Sequence, residues 1–258
     1  MKKNRSLYIL LNAIILLPIL ILILFSFIIR FKDNTIFPSY ISIDRIFVLT
    51  KPTYVKLIFS SIMISFASSI LAVTFSLPAS YALAYFDFKF KNIILVIALF
   101  PILVPPFAYF MGLLRSFSII GINDTLFGVI ISHMILIIPY GIINFKSAFL
   151  SIGYKYEEVA KAFGGNVIDR TIYITMPLLK NTIIATVALG FTISFSQYFL
   201  TLLVGGGRIK TYALYVLLLI QGNNRALASA ASLYYIIING AFLILISKIH
   251  NNRELETL

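Results

Sequence analysis

Residues 57–85 form an unbroken run of 29 residues that contains no Asp, Glu, Lys, Arg or His. At about 1.5 Å per residue, a helix of that length outreaches the ~30 Å hydrocarbon core of a bilayer. Five more apolar runs lie at residues 7–29, 92–114, 126–145, 177–203 and 226–249, with Lys and Arg only near their ends. A water-soluble domain carries about 25% charged residues. This chain of 258 residues carries 12%. The expected fold class is an all-α membrane protein with six transmembrane helices, built as a single membrane domain over residues 1–258. A further apolar stretch, residues 212–221, is too short to cross and is expected as an interfacial or re-entrant helix.

The first run is preceded by Lys2-Lys3-Asn4-Arg5 and imitates a signal peptide. Its 23 residues exceed an h-region of about 7–15, and no small-residue cleavage site follows, so it is expected to remain as the first span. Six crossings put both termini on one side. With that side in the cytoplasm, 12 Lys and Arg fall inside and 9 outside, the sense of the positive-inside rule. The formal net charge of +12 comes from basic residues dispersed at loop ends, which is membrane-flanking charge and not a nucleic-acid surface. With no cysteine and two histidines, neither a disulfide nor a metal site is expected.

Within the second run, Ser61, Ser65, Ser69, Ala72, Ser76, Ser80 and Ala84 recur at steps of three or four, on one helical face. Such a face either lets helix backbones approach closely in lipid or lines a polar pathway. Pro78, Pro101, Pro105, Pro106 and Pro139 lie in or near spans, where a missing backbone donor bends a helix, as a gate requires. His133 is read as a helix-packing hydrogen bonder or a pathway group. No Asp, Glu, Lys or Arg occurs in the span interiors. Ion-coupled carriers place such residues there, so a stand-alone secondary carrier or channel is the second reading and a membrane scaffold the third. No nucleophile–base–acid arrangement and no G-x-x-x-x-G-K-[ST] phosphate loop is present. No catalytic residue, metal site or ATP site is therefore expected in the chain.

One segment, residues 157–177, is polar between long apolar runs and reads EEVAKAFGGNVIDRTIYITMP. Glu157 and Glu158 fall in the first turn of a helix starting near Tyr154, where the helix dipole favours anions. Val159, Ala160, Ala162 and Phe163 supply an apolar patch. Gly164 and Gly165 end the helix, because glycine accepts left-handed angles. Asn166 is placed to cap a second short helix, with Asp169 three residues on. Thr175 and Pro177 suit the cap and first turn of the next span.

This segment resembles the cytoplasmic loop of permeases of binding-protein-dependent ABC importers, whose pattern is E-A-A, three residues, Gly, about nine residues, Ile and Leu-Pro. Glu158-Val159-Ala160, Gly164, Ile174 and Met176-Pro177 stand in those places, with Val159 for Ala and Met176 for Leu. The resemblance covers roughly residues 57–249. It implies the type I ABC importer permease (MetI-like) fold and a coupling loop at 154–177 that docks in a groove of a separate ATPase. It assigns Glu157, Glu158, Val159, Ala160, Phe163, Gly164 and Pro177 to coupling with that ATPase, with Glu158 pairing a basic residue of the ATPase. It implies no cofactor in this chain, ATP and Mg being bound by the partner. The implied partners are two ATP-binding subunits, a second permease subunit (identical or homologous), an extracytoplasmic solute-binding protein and membrane lipid. Gly205-Gly206-Gly207 would be an outer hairpin or a contact for the binding protein. The implied location is the bacterial cytoplasmic (inner) membrane, multi-pass, with both termini cytoplasmic.

The sequence SFSQYFLTLLVGGG at the end of the fifth span is similar to the branch serving polyamines, iron(III), thiamine, sulfate and phosphonates. The expected solute is small: thiamine, a polyamine, iron(III) or a related compound. Neutral Ser196-Gln197-Tyr198 disfavours the polyamines, which want carboxylates in their path. Candidate pathway residues are Ser194, Ser196, Gln197 and Tyr198, with Ser76 and Tyr81 opposite, interhelical hydrogen bonding being the alternative for each.

Overall fold

The computed structural model describes residues 2–31, 38–41, 47, 49–222 and 224–251. α1 runs over Lys2–Ser26, and the chain then forms a two-stranded antiparallel sheet from β1, Ile28–Phe31, and β2, Pro38–Ile41. The first helix thus ends three residues before the predicted span does, and Ile28 and Ile29 enter the sheet.

α2, Pro52–Tyr85, is a 34-residue helix with proline in its first turn, where the missing N–H costs nothing. It is the axis of the bundle, packed on α5, Leu126–Ile152, and α8, Met176–Ser196. Its serine face is buried: Ser61, Ser65, Ser68, Ser69, Ser76 and Ser80 all point into the protein. Ser69 and Ser80 return their hydroxyls to carbonyls one turn back, at 2.6 Å in each case, and Ser68 reaches the carbonyl of Ile130 at 3.1 Å. Glycines receive them from across the interface. A Cβ on Gly141 of α5 would sit 2.3 Å from Ser76 Oγ, and one on Gly190 of α8 would sit 3.1 Å from Ser69 Oγ. Between helices in lipid no hydrophobic force draws the surfaces together, so close backbone approach supplies the contact. The serine row is a packing surface.

The predicted span 92–114 is not one helix. α3, Lys91–Leu103, and α4, Pro106–Ile119, meet at an angle of 109°. The cause is local: each of two successive prolines pushes the residue before it out of the helical region. Val104 has φ −94°, ψ 143° and Pro105 has φ −52°, ψ 130°, and the helix restarts with Pro106 in its first turn. The span 177–203 also breaks. α8 stops at Ser196, Gln197 is extended at ψ 96°, and a short helix α9, Phe199–Gly205, follows before Gly206 and Gly207 turn at positive φ. α10, Tyr212–Gln221, is the short apolar helix expected, held to α2 by the Tyr212 N–H donating to Ser61 Oγ at 2.7 Å. α11, Arg225–Asn251, closes the order.

Among the described residues, four helical stretches are long and apolar enough to cross a membrane: Pro52–Tyr85, Leu126–Ile152, Val167–Ser196 and Ala226–Lys248. The bent α3–α4 pair makes a fifth if it is one span. The all-α membrane class stands; against six expected spans the described residues give four, or five with the bent pair, and in α1 only the shorter apolar helix Ile14–Ser26.

Candidate functional site

Two places on this scaffold concentrate polar groups outside regular helix packing: the loop between α5 and α8, and a cavity where both broken helices meet.

In the loop, Gly153 ends α5 at φ 77° and α6, Lys155–Ala162, begins at once. Glu157 and Glu158 occupy its first turn. Gly164 has φ 83° with open space where a Cβ would stand, so its glycine answers a backbone demand and not a steric one. Asn166 Oδ1 accepts from the Asp169 N–H at 2.9 Å and caps α7, Val167–Arg170. Here the chain departs from expectation. α7 does not end before the span. It continues through one π-helical turn, Thr171–Thr175, into α8, making a continuous helical stretch over Val167–Ser196. Thr175 caps nothing. Its hydroxyl donates to Glu157 Oε1 at 3.3 Å.

The two adjacent glutamates face opposite ways. Glu157 is only 8% exposed. Its Oε2 accepts from the Tyr81 hydroxyl at 2.6 Å and from Arg170 Nη1 at 3.3 Å. Glu157 therefore turns into the bundle, its carboxylate held by this chain's own groups, while Glu158 faces outward. Tyr81, expected in the pathway, is instead its hydrogen-bond donor. The Tyr81 ring packs on Phe149 and Tyr85 near the C-terminal end of α2, away from the cavity described below. Glu158 is exposed, as are Val159, Gly164 and Pro177, while Ala160 is half-buried. Phe163 is 89% exposed, and Val167, Ile168 and Tyr173, none of them singled out from sequence, are exposed as well.

The cavity holds about 540 Å³ and lies at the two breaks. Pro101, Val104 and Pro106 line it from α3–α4, and Ser196, Gln197, Tyr198 and Phe199 from α8–α9. Its polar members are Tyr140, Ser196, Gln197 and Tyr198, with no carboxylate or cation in the lining. The structure thus brings together three of the six predicted pathway residues. Ser76 lies buried against Gly141 instead. Ser194 is buried one turn below, bonded to His133. Tyr140 was missed, although it stands two turns along α5 from His133, on the face where polar residues recur.

His133 braces the second break. The Thr201 hydroxyl donates to the Gln197 carbonyl at 2.6 Å, so Thr201 Oγ1 accepts from His133 Nε2–H at 3.0 Å. Nδ1 is left to accept from the Ser194 hydroxyl at 2.8 Å. One imidazole therefore ties the end of α8 to α9 across the gap that the cavity uses.

Comparison with known proteins agrees with this anatomy. Residues 76–253 match the family described as the binding-protein-dependent transport system inner membrane component. A probable molybdenum ABC transporter permease protein of Haloferax volcanii is 27% identical over 153 residues, 56% of this chain and 57% of that protein. The molybdate/tungstate transport system permease protein WtpB of Methanocaldococcus jannaschii is 26% identical over 140 residues, 50% of this chain and 55% of that one. A putative 2-aminoethylphosphonate transport system permease protein, PhnV, of Salmonella typhimurium is 25% identical over 147 residues, 56% of each chain. The chain spans little more than half the length of these relatives. Among solved structures, a bacterial ABC transporter involved in the import of the acidic polysaccharide alginate superposes with a TM-score of 0.73 at 18% identity, over 95% of this chain and 94% of that one. That likeness is one of fold.

Proposed function

This chain belongs to the family of binding-protein-dependent transport system inner membrane components, and on that premise we propose that it forms the pathway of an ATP-driven importer for a small oxyanion. It is a multi-pass membrane permease subunit, of a family that transports and does not catalyse. In the proposed assembly it pairs with a second permease subunit, identical or homologous. Two ATP-binding subunits, which bind ATP and Mg, dock on its cytoplasmic face, and a solute-binding protein delivers from outside. The last partner is supported by the alginate transporter, whose structure is also known with a substrate-bound periplasmic protein. The loop 154–177 lies on the cytoplasmic side in this reading, together with both termini.

The observation that carries the docking is the exposure of the apolar residues Phe163, Val159, Val167 and Ile168 on a loop that also exposes Lys155, Glu158, Lys161 and Asp169. Exposed apolar patches rimmed by polar groups mark protein contacts. Glu158, exposed on the same loop, is placed to pair with a base of the ATPase.

The solute class rests on charge. The cavity at the two breaks carries neutral polar groups and neither carboxylate nor cation, so it does not itself choose between cations and anions. A second cavity of about 850 Å³, between the start of α2 and α10, has Lys56 and Lys210 in its lining. Two lysines favour anions at that mouth. The relatives named above are labelled for molybdenum, molybdate or tungstate and 2-aminoethylphosphonate, not for thiamine, a polyamine or iron(III), and the proposal follows them.

The test is purification of the tagged chain in mild detergent with mass spectrometry of its companions. Calorimetry then measures the recovered binding protein against molybdate, tungstate and 2-aminoethylphosphonate. An ATPase among the companions and one bound oxyanion is the expected result. Recovery of the folded chain alone would sink the importer assembly, and a binding protein selective for a cation would sink the solute class.

A further inference from the structure

We propose that Glu157 is a positioning residue that transmits force: its buried carboxylate joins the docking helix α6 to α2 and to the π-turn, so that α6 and the inner ends of α2 and α8 move as one body. The proposal rests on the docking of an ATPase on α6. It separates two neighbouring glutamates by role, Glu158 facing the partner and Glu157 facing the permease itself.

The argument begins with cost. A carboxylate taken out of water is expensive unless it is paired and fully hydrogen-bonded. Glu157 has its charge answered by Arg170 and both oxygens engaged, by Tyr81 on one side and Thr175 on the other. These partners come from α2, α7 and the π-turn, so the loop cannot shift against the bundle without stranding a buried charge. A second tie lies beside the first. The Tyr85 hydroxyl donates to the carbonyl of Phe149 at 2.8 Å, near the end of α5 where α6 departs, with Gly153 O within 3.2 Å. Tyr81 meets Tyr85 and Phe149 edge-on, and Tyr154 packs tilted against Tyr85 beside them. The π-turn sits where the pull would be applied, at the junction of loop and span. Such turns recur at functional positions in helices. Downstream of it the same helix reaches Ser196 at the cavity.

The chain has no cysteine, so Ile102→Cys and Tyr198→Cys, on the α3 and α8–α9 sides of the cavity, take spin labels with no competing thiol in this chain, the ATPase being prepared without cysteine. The complex, purified with its own ATPase and placed in nanodiscs, is measured with and without ATP and vanadate. Glu157→Gln removes the charge at nearly constant shape, and Tyr81→Phe removes one donor from α2, outside the loop. Both variants are expected to retain the ATPase and hydrolyse ATP. The ATP-driven shift in the ratio of the two label-distance populations is expected to fall by a factor in the range of roughly 5–150 typical of coupling between sites. A normal distance change in Tyr81→Phe overturns the proposal. Loss of the ATPase from Glu157→Gln while Phe163→Glu retains it also overturns it, since Glu157 would then be the docking contact. Failure of the docking reading shows separately, as ATPase retained by Phe163→Glu with coupling still lost in the other two.

Discussion

His133 Nδ1 lies 2.8 Å from Ser194 Oγ, joining the middle of α5 to the last turn of α8 just below the cavity. With Thr201 on its other nitrogen at 3.0 Å, the ring holds both sides of the α8–α9 break. His133→Phe keeps a ring and removes both bonds, leaving the buried Ser194 hydroxyl without its acceptor while Thr201 keeps its bond to the Gln197 carbonyl. A stability loss of about 1–3 kcal/mol is expected. Thermal unfolding of the purified protein in detergent checks it, and an unchanged midpoint would mean that the brace contributes nothing.

Gly141 admits Ser76. A Cβ there would sit 2.3 Å from Ser76 Oγ and 2.8 Å from Ser76 Cβ, with no flexible chain end to yield. Gly141→Ala is expected to cost about 1–3 kcal/mol, as overpacking does, and to lower the yield of folded protein. Ser76→Gly on the same chain removes both offending atoms and should restore much of the loss. Gel filtration and thermal melts of the single and double variants decide it. No rescue would place the strain elsewhere.

Phe163, 89% exposed, contributes little to the fold. Phe163→Glu should change stability by less than about 0.5 kcal/mol while removing the ATPase from the purified complex, and Glu158→Lys should do the same by reversing charge. Gly164→Val should also fail to couple, because a β-branched residue is strained at φ 83° although space is open. Co-purification against a tagged ATPase reads all three. Full retention in all of them would leave the exposed patch without a partner.

Pro105 and Pro106 hold α3 and α4 apart at 109°. Replacing both with Ala restores two backbone donors and lifts the restriction on Val104 and Pro105. The helix should extend across the break and alter the cavity. A single cysteine at Ser196, an exposed position in the lining, should then react with a water-soluble maleimide at a changed rate. An identical rate would mean that tertiary contacts alone set the bend.

Much of the loop was legible because its signals are local. Asn166 caps the helix it precedes, Gly164 takes the left-handed angle and Glu157 and Glu158 fill the first turn of α6, each within four residues of its partner. The direction of Glu157 was not legible. In a helix of 8 residues with apolar groups on several sides, the pattern alone does not say which face meets the bundle. Tyr81, 76 residues away, settles it. The serine row was visible as a face, but its meaning needed Gly141 and Gly190 on two other helices.

Composition and run length determined by themselves that this is a helical membrane protein with a polar loop built to end, turn and restart, since bilayer thickness and backbone preference act on each segment alone. Only the tertiary structure decided where the spans break, which glutamate turns inward and which polar residues share a cavity. Those outcomes depend on groups far apart in sequence, and a buried charge or a close helix approach is stable only when its partner is already in place.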